Sequence, residues 1–71
     1  MYRDHFGRML FVDEDLDGPG FWTVQYRDDN GQRQTWVSAS FPLGIIGDNF
    51  DSVQTELVII AGEYGWERIG L

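Results

Sequence analysis

The sequence predicts a small α+β domain in which an antiparallel β-sheet carries one helix on one face, in the order β-β-β-α-β. Three observations lead to this fold class: alternating apolar and polar residues over 21–28, an Asn-Gly pair soon after them, and apolar residues at helical spacing beyond residue 48. With 71 residues, the chain has room for one hydrophobic core, so we expect a single domain over 1–71.

The first apolar run, Phe6–Val12, predicts a strand. A loop over 13–20 follows it, because acidic residues stand there beside Gly18, Pro19 and Gly20. The run starts close to an N-terminus that we expect to fray.

The alternation over Phe21–Asp28 predicts the second strand, with Trp22, Val24 and Tyr26 on its buried side. The pair Asn30-Gly31 predicts a two-residue type I′ turn after it, because both residues tolerate positive φ. We therefore expect a tight β-hairpin at this point in the chain.

The returning strand of the hairpin is predicted over Gln32–Phe41. With a two-residue turn, Val37 and Ala39 join the buried face, since directly paired residues share a face. Trp36 then falls on the polar face. A surface Trp is uncommon unless another segment covers it or a partner binds it.

A connection over 41–47, interrupted by Pro42, leads to the predicted helix. We expect Asp48 or Asp51 as its N-cap and Gly65 just past its end. Ile59 lies on its outer side, where it marks either a dimer contact or a strand in place of the helix. The apolar residues at spacings of three and four are Phe50, Val53, Leu57, Ile60, Ala61 and Tyr64.

The β-branched segment Leu57–Ala61 leaves an alternative open, a buried strand in a small SH3-like all-β barrel. A final strand is predicted over Trp66–Leu71. The tripeptide Gly65-Trp66-Glu67 resembles the end of small uncharacterised bacterial domains in which a helix runs into Gly-Trp-Glu and a closing strand. That resemblance implies a helix followed by a strand, and no activity.

Several function classes are disfavoured by composition. The chain has no Cys, so it has no disulfide and no thiolate ligand or nucleophile. His5 is the only imidazole and there is no Lys, so the sequence predicts no enzyme, no nucleotide site and no cofactor. It also shows no secretory signal and no run of about 18 apolar residues, so we expect a cytoplasmic protein without a membrane partner.

The loop over 13–18 matches the first half of a calcium-binding loop, in which Asp13, Asp15 and Asp17 alternate before Gly18. The second half does not match, because the twelfth position is Val24 instead of Glu. We therefore favour a solvated acidic turn and predict no metal site. A weak calcium-binding loop remains the alternative.

Acidic residues are expected to collect at one end of the sheet. Because consecutive strands alternate in direction, the loop after the first strand and the start of the helix lie at the same end. The candidate partner-binding residues at that end are Asp13, Glu14, Asp15, Asp17, Asp48 and Asp51, and Trp36 is a further candidate on the hairpin.

The formal net charge of −7 argues against direct nucleic-acid binding. We expect a protein partner with a basic surface, and a monomer or weak homodimer of this chain. In size and charge the chain resembles the acidic anti-restriction and anti-CRISPR proteins, which implies a phage-type inhibitor that mimics nucleic acid. The alternative is a structural or adaptor domain that binds a protein through an exposed aromatic face around Trp36.

Overall fold

The computed structural model describes residues 1–70 and confirms the α+β class, with one helix on a six-stranded antiparallel sheet. Leu71, the last residue of the predicted final strand, lies outside the described residues. Within 1–70, no helix has the length and apolar character of a membrane span. The elements are β1 Tyr2–Arg3, β2 Met9–Glu14, β3 Trp22–Arg27, β4 Arg33–Thr35, β5 Ile46–Gly47, α1 Phe50–Tyr64 and β6 Glu67–Arg68.

The sheet has the strand order β4-β3-β2-β1-β6, and β5 also pairs with β3. The N-terminal strand β1 was not predicted. It pairs with β2 through Tyr2 and Leu10, and with β6 through Tyr2 and Arg68. The expected frayed terminus is therefore wrong, and the first predicted strand begins at Met9 instead of Phe6.

The predicted returning strand over Gln32–Phe41 forms only in part, as β4, which pairs with residues 25–27 of β3. The connection predicted over 41–47 contains a short strand, β5, which pairs with residues 22–23 of β3. Between them, Val24 accepts from the N–H of Trp36 at 2.8 Å and donates to Ile45 O at 3.3 Å. Residues 37–44 therefore leave the sheet as a loop, which contains the non-donating Pro42.

The hairpin turn has three residues instead of the predicted two. Asp28 N–H donates to Gln32 O at 2.8 Å, and Gly31 N–H donates to Asp28 O at 2.9 Å. Gly31 has a φ of +79°, whereas no non-glycine residue in 1–70 has positive φ, so Asn30 does not adopt the type I′ conformation. The Asp28 carboxylate accepts from the N–H groups of Asn30 and Gln32, which stabilises this turn.

The longer turn shifts the hairpin register by one residue, so that Tyr26 faces Gln34 instead of Thr35. A one-residue shift moves every side chain of the returning strand to the opposite face. Trp36 is therefore buried in the core, 3% exposed, and not on the polar face. Val37 is 51% exposed and Ala39 is also exposed, so their predicted burial is wrong.

The helix α1 is present where it was predicted, which excludes a strand over Leu57–Ala61. Its N-cap is Asn49, not Asp48 or Asp51, because Asn49 Oδ1 accepts from Ser52 N–H at 2.8 Å. At the other end, Gly65 takes the left-handed conformation and donates its N–H to Ala61 O.

The core lies between α1 and one face of the sheet. Trp22, Val24 and Tyr26 are on that face, as predicted, whereas Phe50 and Tyr64 at the helix ends remain exposed. Ile59 is on the outer side of α1. The buried core residues are Leu10, Val24, Trp36, Ile45, Val53, Leu57 and Ile60, with Tyr2, Val12, Trp22, Tyr26, Phe41 and Trp66 packed around them.

Alanine substitutions at two glycines with positive φ distinguish the cost of backbone strain from the cost of a steric clash. Gly31→Ala should cost about 1 kcal/mol of unfolding free energy, because only the backbone conformation is strained and open space surrounds the new Cβ. Gly44→Ala should cost about 1–2 kcal/mol more, since its Cβ would lie 2.8 Å from Thr35 Cγ2 and 3.0 Å from Trp36 O. Urea unfolding of the two variants measures the difference, and equal losses would contradict the packing of the loop on β4.

The hairpin turn also predicts a pH effect. The pKa of Asp28 lies below its ordinary value. The Gln34 side chain contributes most to this lowering, followed by the Gln32 N–H, and the Asn30 N–H contributes least. Partial desolvation of the carboxylate opposes them. Its stabilisation is therefore present above the unfolded-state pKa and is lost as pH falls through the folded-state pKa. Gln34→Ala should raise the pKa of Asp28 toward its ordinary value, measured by carboxyl NMR titration. Gln32→Ala is the control and should leave it in place, because only the Gln32 main chain contacts Asp28.

Candidate functional site

The first candidate surface is the end of the sheet where β2 stops and β3 begins. Glu14 pairs with Trp22, and Trp22 pairs on its other side with Gly47, directly before Asp48. The loop over 15–21 and the start of α1 are therefore neighbours at this end of the sheet.

Most of the predicted carboxylates there have no cationic partner. Asp13 is the exception, because its Oδ2 lies 2.7 Å from Arg33 Nη1. Within residues 1–70 the other five form no ion pair. We call these five residues the acidic end: Glu14, Asp15, Asp17, Asp48 and Asp51.

Local interactions within the chain explain the presence of only some carboxylates of the acidic end. Asp51 lies in the first turn of α1, where the helix dipole favours negative charge. Asp48 accepts one hydrogen bond from Asn49 Nδ2 at 3.3 Å. The loop carboxylates of Glu14, Asp15 and Asp17 accept no hydrogen bond within residues 1–70, so they are free to contact another molecule.

Exposed apolar side chains accompany the acidic end. They are Leu16, Phe21, Ile46 and Phe50. The Phe50 ring packs edge-on against Trp22 at 5.5 Å, so its exposed part is held in a fixed position. Apolar groups flanked by charged groups are typical of protein–protein interfaces, whereas a surface that only confers solubility needs no apolar groups.

Asp13, Asp15 and Asp17 do not gather around a common point. Within residues 1–70, no three acidic or His side chains are placed to hold a metal ion. Asp13 instead faces Arg33, and the Asp15 carboxylate turns back toward Gly18. The calcium-loop alternative therefore finds no ligand cluster in this loop.

Trp36 lies away from the acidic end, at a second surface. A binding face around an exposed Trp36 was predicted, but Trp36 is 3% exposed and contributes only to the lining of this surface. Three segments surround a cavity of about 480 Å³ there: the β1–β2 turn over 4–8, the start of the β4–β5 loop over 36–40, and residues 64–66 at the end of α1. We call this cavity the aromatic cleft. It lies at the opposite end of β2 from Glu14.

A buried carboxylate organises one wall of the aromatic cleft. Asp4 is 5% exposed, and its Oδ1 accepts from the N–H groups of Phe6 and Arg8 at 3.0 and 2.8 Å. Its Oδ2 accepts from Arg8 Nε at 2.7 Å. The main chain closes the same turn, since Asp4 N–H donates to Arg8 O and Gly7 N–H donates to Asp4 O.

This turn holds Phe6 in solvent. Phe6 is 84% exposed, although its ring lies 5.3 Å from the Arg8 guanidinium carbon. The same guanidinium carbon lies 4.6 Å from the Tyr26 ring, so cation–π contacts fix the Arg8 side chain on both sides.

The other two lining segments carry the aromatic rings Trp36, Tyr64 and Trp66. The Trp66 ring meets Trp36 at 5.4 Å and Tyr64 at 5.2 Å, both in edge-on arrangements. His5 Nε2 lies 2.7 Å from Tyr64 O, which attaches the β1–β2 turn to the end of α1. Asp4, Gly7 and Arg8 are the residues from which this turn could have been predicted, since Asp and Gly are typical of turns. It was missed because the N-terminus was expected to fray.

Comparison with protein-family models, with curated proteins and with solved structures finds no match to this chain.

The buried carboxylate predicts a stability difference. Asp4→Asn should cost about 2 kcal/mol of unfolding free energy, because it removes the charge-assisted bond to Arg8 at a side chain that is 2% exposed. Glu67→Gln, the control, removes an exposed ion pair with Arg3 at 2.9 Å and should cost less than about 0.5 kcal/mol. Chemical denaturation compares the two variants. Equal losses would mean that Asp4 does not hold the turn.

Proposed function

We propose that the protein is a non-enzymatic interaction module that binds a basic surface of a partner protein through its acidic end. It acts there as a mimic of nucleic acid and occupies a groove that otherwise holds phosphates. The observation that carries this proposal is a set of five carboxylates at one end of the sheet that form no ion pair with any described residue.

The distribution of cations supports this function. Arg3 is paired with Glu67, and Arg8 is paired with Asp4, both near the opposite end of β2. Helix α1 carries three acidic residues and no basic one. Arg33 lies nearer the acidic end but is paired with Asp13. Within residues 1–70 the five other carboxylates are not neutralised in this way, so the acidic end is negative, which attracts a basic groove over long range and repels nucleic acid itself.

The frame under the acidic end is fixed by the fold. Glu14 belongs to the β2–β3 ladder, and Asp15 N–H donates to Phe21 O at 2.8 Å beyond it. The Asn49 cap fixes the start of α1, which carries Asp51. Carboxylates on a fixed frame lose less conformational entropy on binding than carboxylates on a disordered tail.

The apolar side chains at the acidic end favour a folded protein as the partner, since a simple polycation offers them no contact. The alternative function, an adaptor that binds through an exposed Trp36, is less well supported because Trp36 is buried.

Neutralising the acidic end tests the function. The variant Glu14→Gln, Asp15→Asn, Asp17→Asn should bind partner proteins about tenfold more weakly, because three intermolecular ion pairs at about 0.5 kcal/mol each together match the roughly 1.4 kcal/mol of a tenfold change. The tagged chain is used to capture proteins from the heparin-binding fraction of a bacterial lysate. Duplex DNA should displace what it captures, and added salt should weaken capture.

The control variant removes the same charge elsewhere. Asp29→Asn, Glu56→Gln, Glu63→Gln changes three exposed acids away from the acidic end and should change capture less than about twofold. Thermal stability of the first variant should stay unchanged or rise, since like charges are relieved. Equal capture by both variants, or capture that DNA does not displace, would contradict the proposed function.

A further inference from the structure

The aromatic cleft lies at the other end of β2 from the acidic end, so its chemistry is separate from the proposed function. We propose that it binds a small uncharged molecule built around an aromatic ring and carrying one hydrogen-bonding group. Its volume of about 480 Å³ falls within the range of about 300–1,000 Å³ that is usual for small-molecule sites.

The charge of the lining selects an uncharged ligand. Among the described residues that line the cleft, only Asp4 and Arg8 carry a formal charge, and they are paired with each other at 2.7 Å. The overall charge of −7 disfavours an anion. It attracts a cation to the surface, but a cation beside Phe6 meets the Arg8 guanidinium, whose carbon already lies 5.3 Å from that ring. A neutral molecule meets neither repulsion.

The ring arrangement selects an aromatic ligand. Trp36, Trp66 and Tyr64 already form a chain of edge-on pairs on one side of the aromatic cleft. Phe6 lines the same cleft, is 84% exposed and has no ring partner within residues 1–70. A ring bound in the cleft is therefore offered stacked or edge-on contacts by several aromatic side chains.

The walls are held in position before binding. The hydrogen bonds of the Asp4 carboxylate fix the turn that carries Phe6, and His5 attaches this turn to Tyr64 O. A site that is already formed loses little conformational entropy when a ligand binds. The fixed turn therefore keeps the Phe6 side chain exposed.

The polar groups at the rim supply the hydrogen bond. Ser38 Oγ accepts from Phe41 N–H at 3.2 Å, which leaves its hydroxyl proton for a ligand acceptor. Ser40 lines the same side and is exposed. One of these hydroxyls orients a ligand that carries an acceptor or donor beside its ring.

The main-chain groups around the aromatic cleft are only partly hydrogen-bonded. The N–H and C=O groups of Asp4, Arg8 and Ser38 are bonded within the chain, as are Tyr64 O and Trp66 N–H. Within residues 1–70 those of Val37, Ala39 and Ser40 form no such bond, so a peptide is the competitor that the test must separate from a small ring molecule, which needs no main-chain partner.

Titration with indole, followed by amide NMR shifts, tests the site. We expect saturable shifts confined to residues 4–8, 36–40 and 64–66, with a Kd of about 1 mM. Phe6→Ala should weaken binding about fivefold, since it removes one ring wall. Phe21→Ala, which removes another exposed Phe at the acidic end, should leave the affinity within about twofold.

Charged analogues complete the test. Indole-3-acetate and tryptamine carry the same ring and should both bind more weakly than indole. Non-saturating shifts, equal binding by the charged analogues, or equal affinity in Phe6→Ala would overturn the proposal, provided that the variant keeps its dispersed amide spectrum. Tighter binding of a neutral Trp-containing peptide than of indole would also overturn it, in favour of a protein-docking surface. None of these outcomes bears on the function proposed for the acidic end, because the charge variants that test that function change no residue of the aromatic cleft.

Discussion

The three-residue turn after Asp28 determines which residues of the returning strand face the helix. The Asp28 carboxylate accepts from the N–H groups of Asn30 and Gln32, and Gly31 supplies the positive φ that closes the loop. With this turn, Trp36 N–H reaches Val24 O, and the indole enters the core. A turn one residue shorter would place the largest side chain of the strand in solvent.

The position of Trp36 has consequences for the chain on either side. Its ring packs against Phe41 at 6.0 Å and against Trp66 at 5.4 Å, so it joins the β4–β5 loop to the chain that follows α1. The loop must leave the sheet after Trp36 to bring Phe41 back over the ring, and Gly44 allows its close return past Thr35. The aromatic cleft is the space that remains between this loop and the β1–β2 turn.

The sequence was sufficient for features that depend on periodicity or strand direction, and insufficient for those that depend on one exact register. The core-facing side of β3, the span of α1 and its Gly65 cap follow from local patterns. The burial of Thr23 and Gln25 on the other side of β3 does not, because the alternation predicts a solvated polar side. The hairpin register does not, because Asn30-Gly31 fits both turn lengths and the choice between them depends on burying Trp36. The Asp13–Arg33 ion pair could not be predicted for the same reason. The β1–β2 turn was missed because a two-residue strand leaves no periodic signal.

The two surfaces differ in their relation to stability. Within residues 1–70 the acidic end concentrates like charges without ion pairs, so their mutual repulsion opposes folding there, except that the helix dipole favours Asp51. The aromatic cleft is part of the folded frame, since Trp36 and Trp66 line it and also pack in the core. Substitutions at the acidic end are therefore tolerated by the fold. At the aromatic cleft, only exposed residues such as Phe6 can change without loss of core packing.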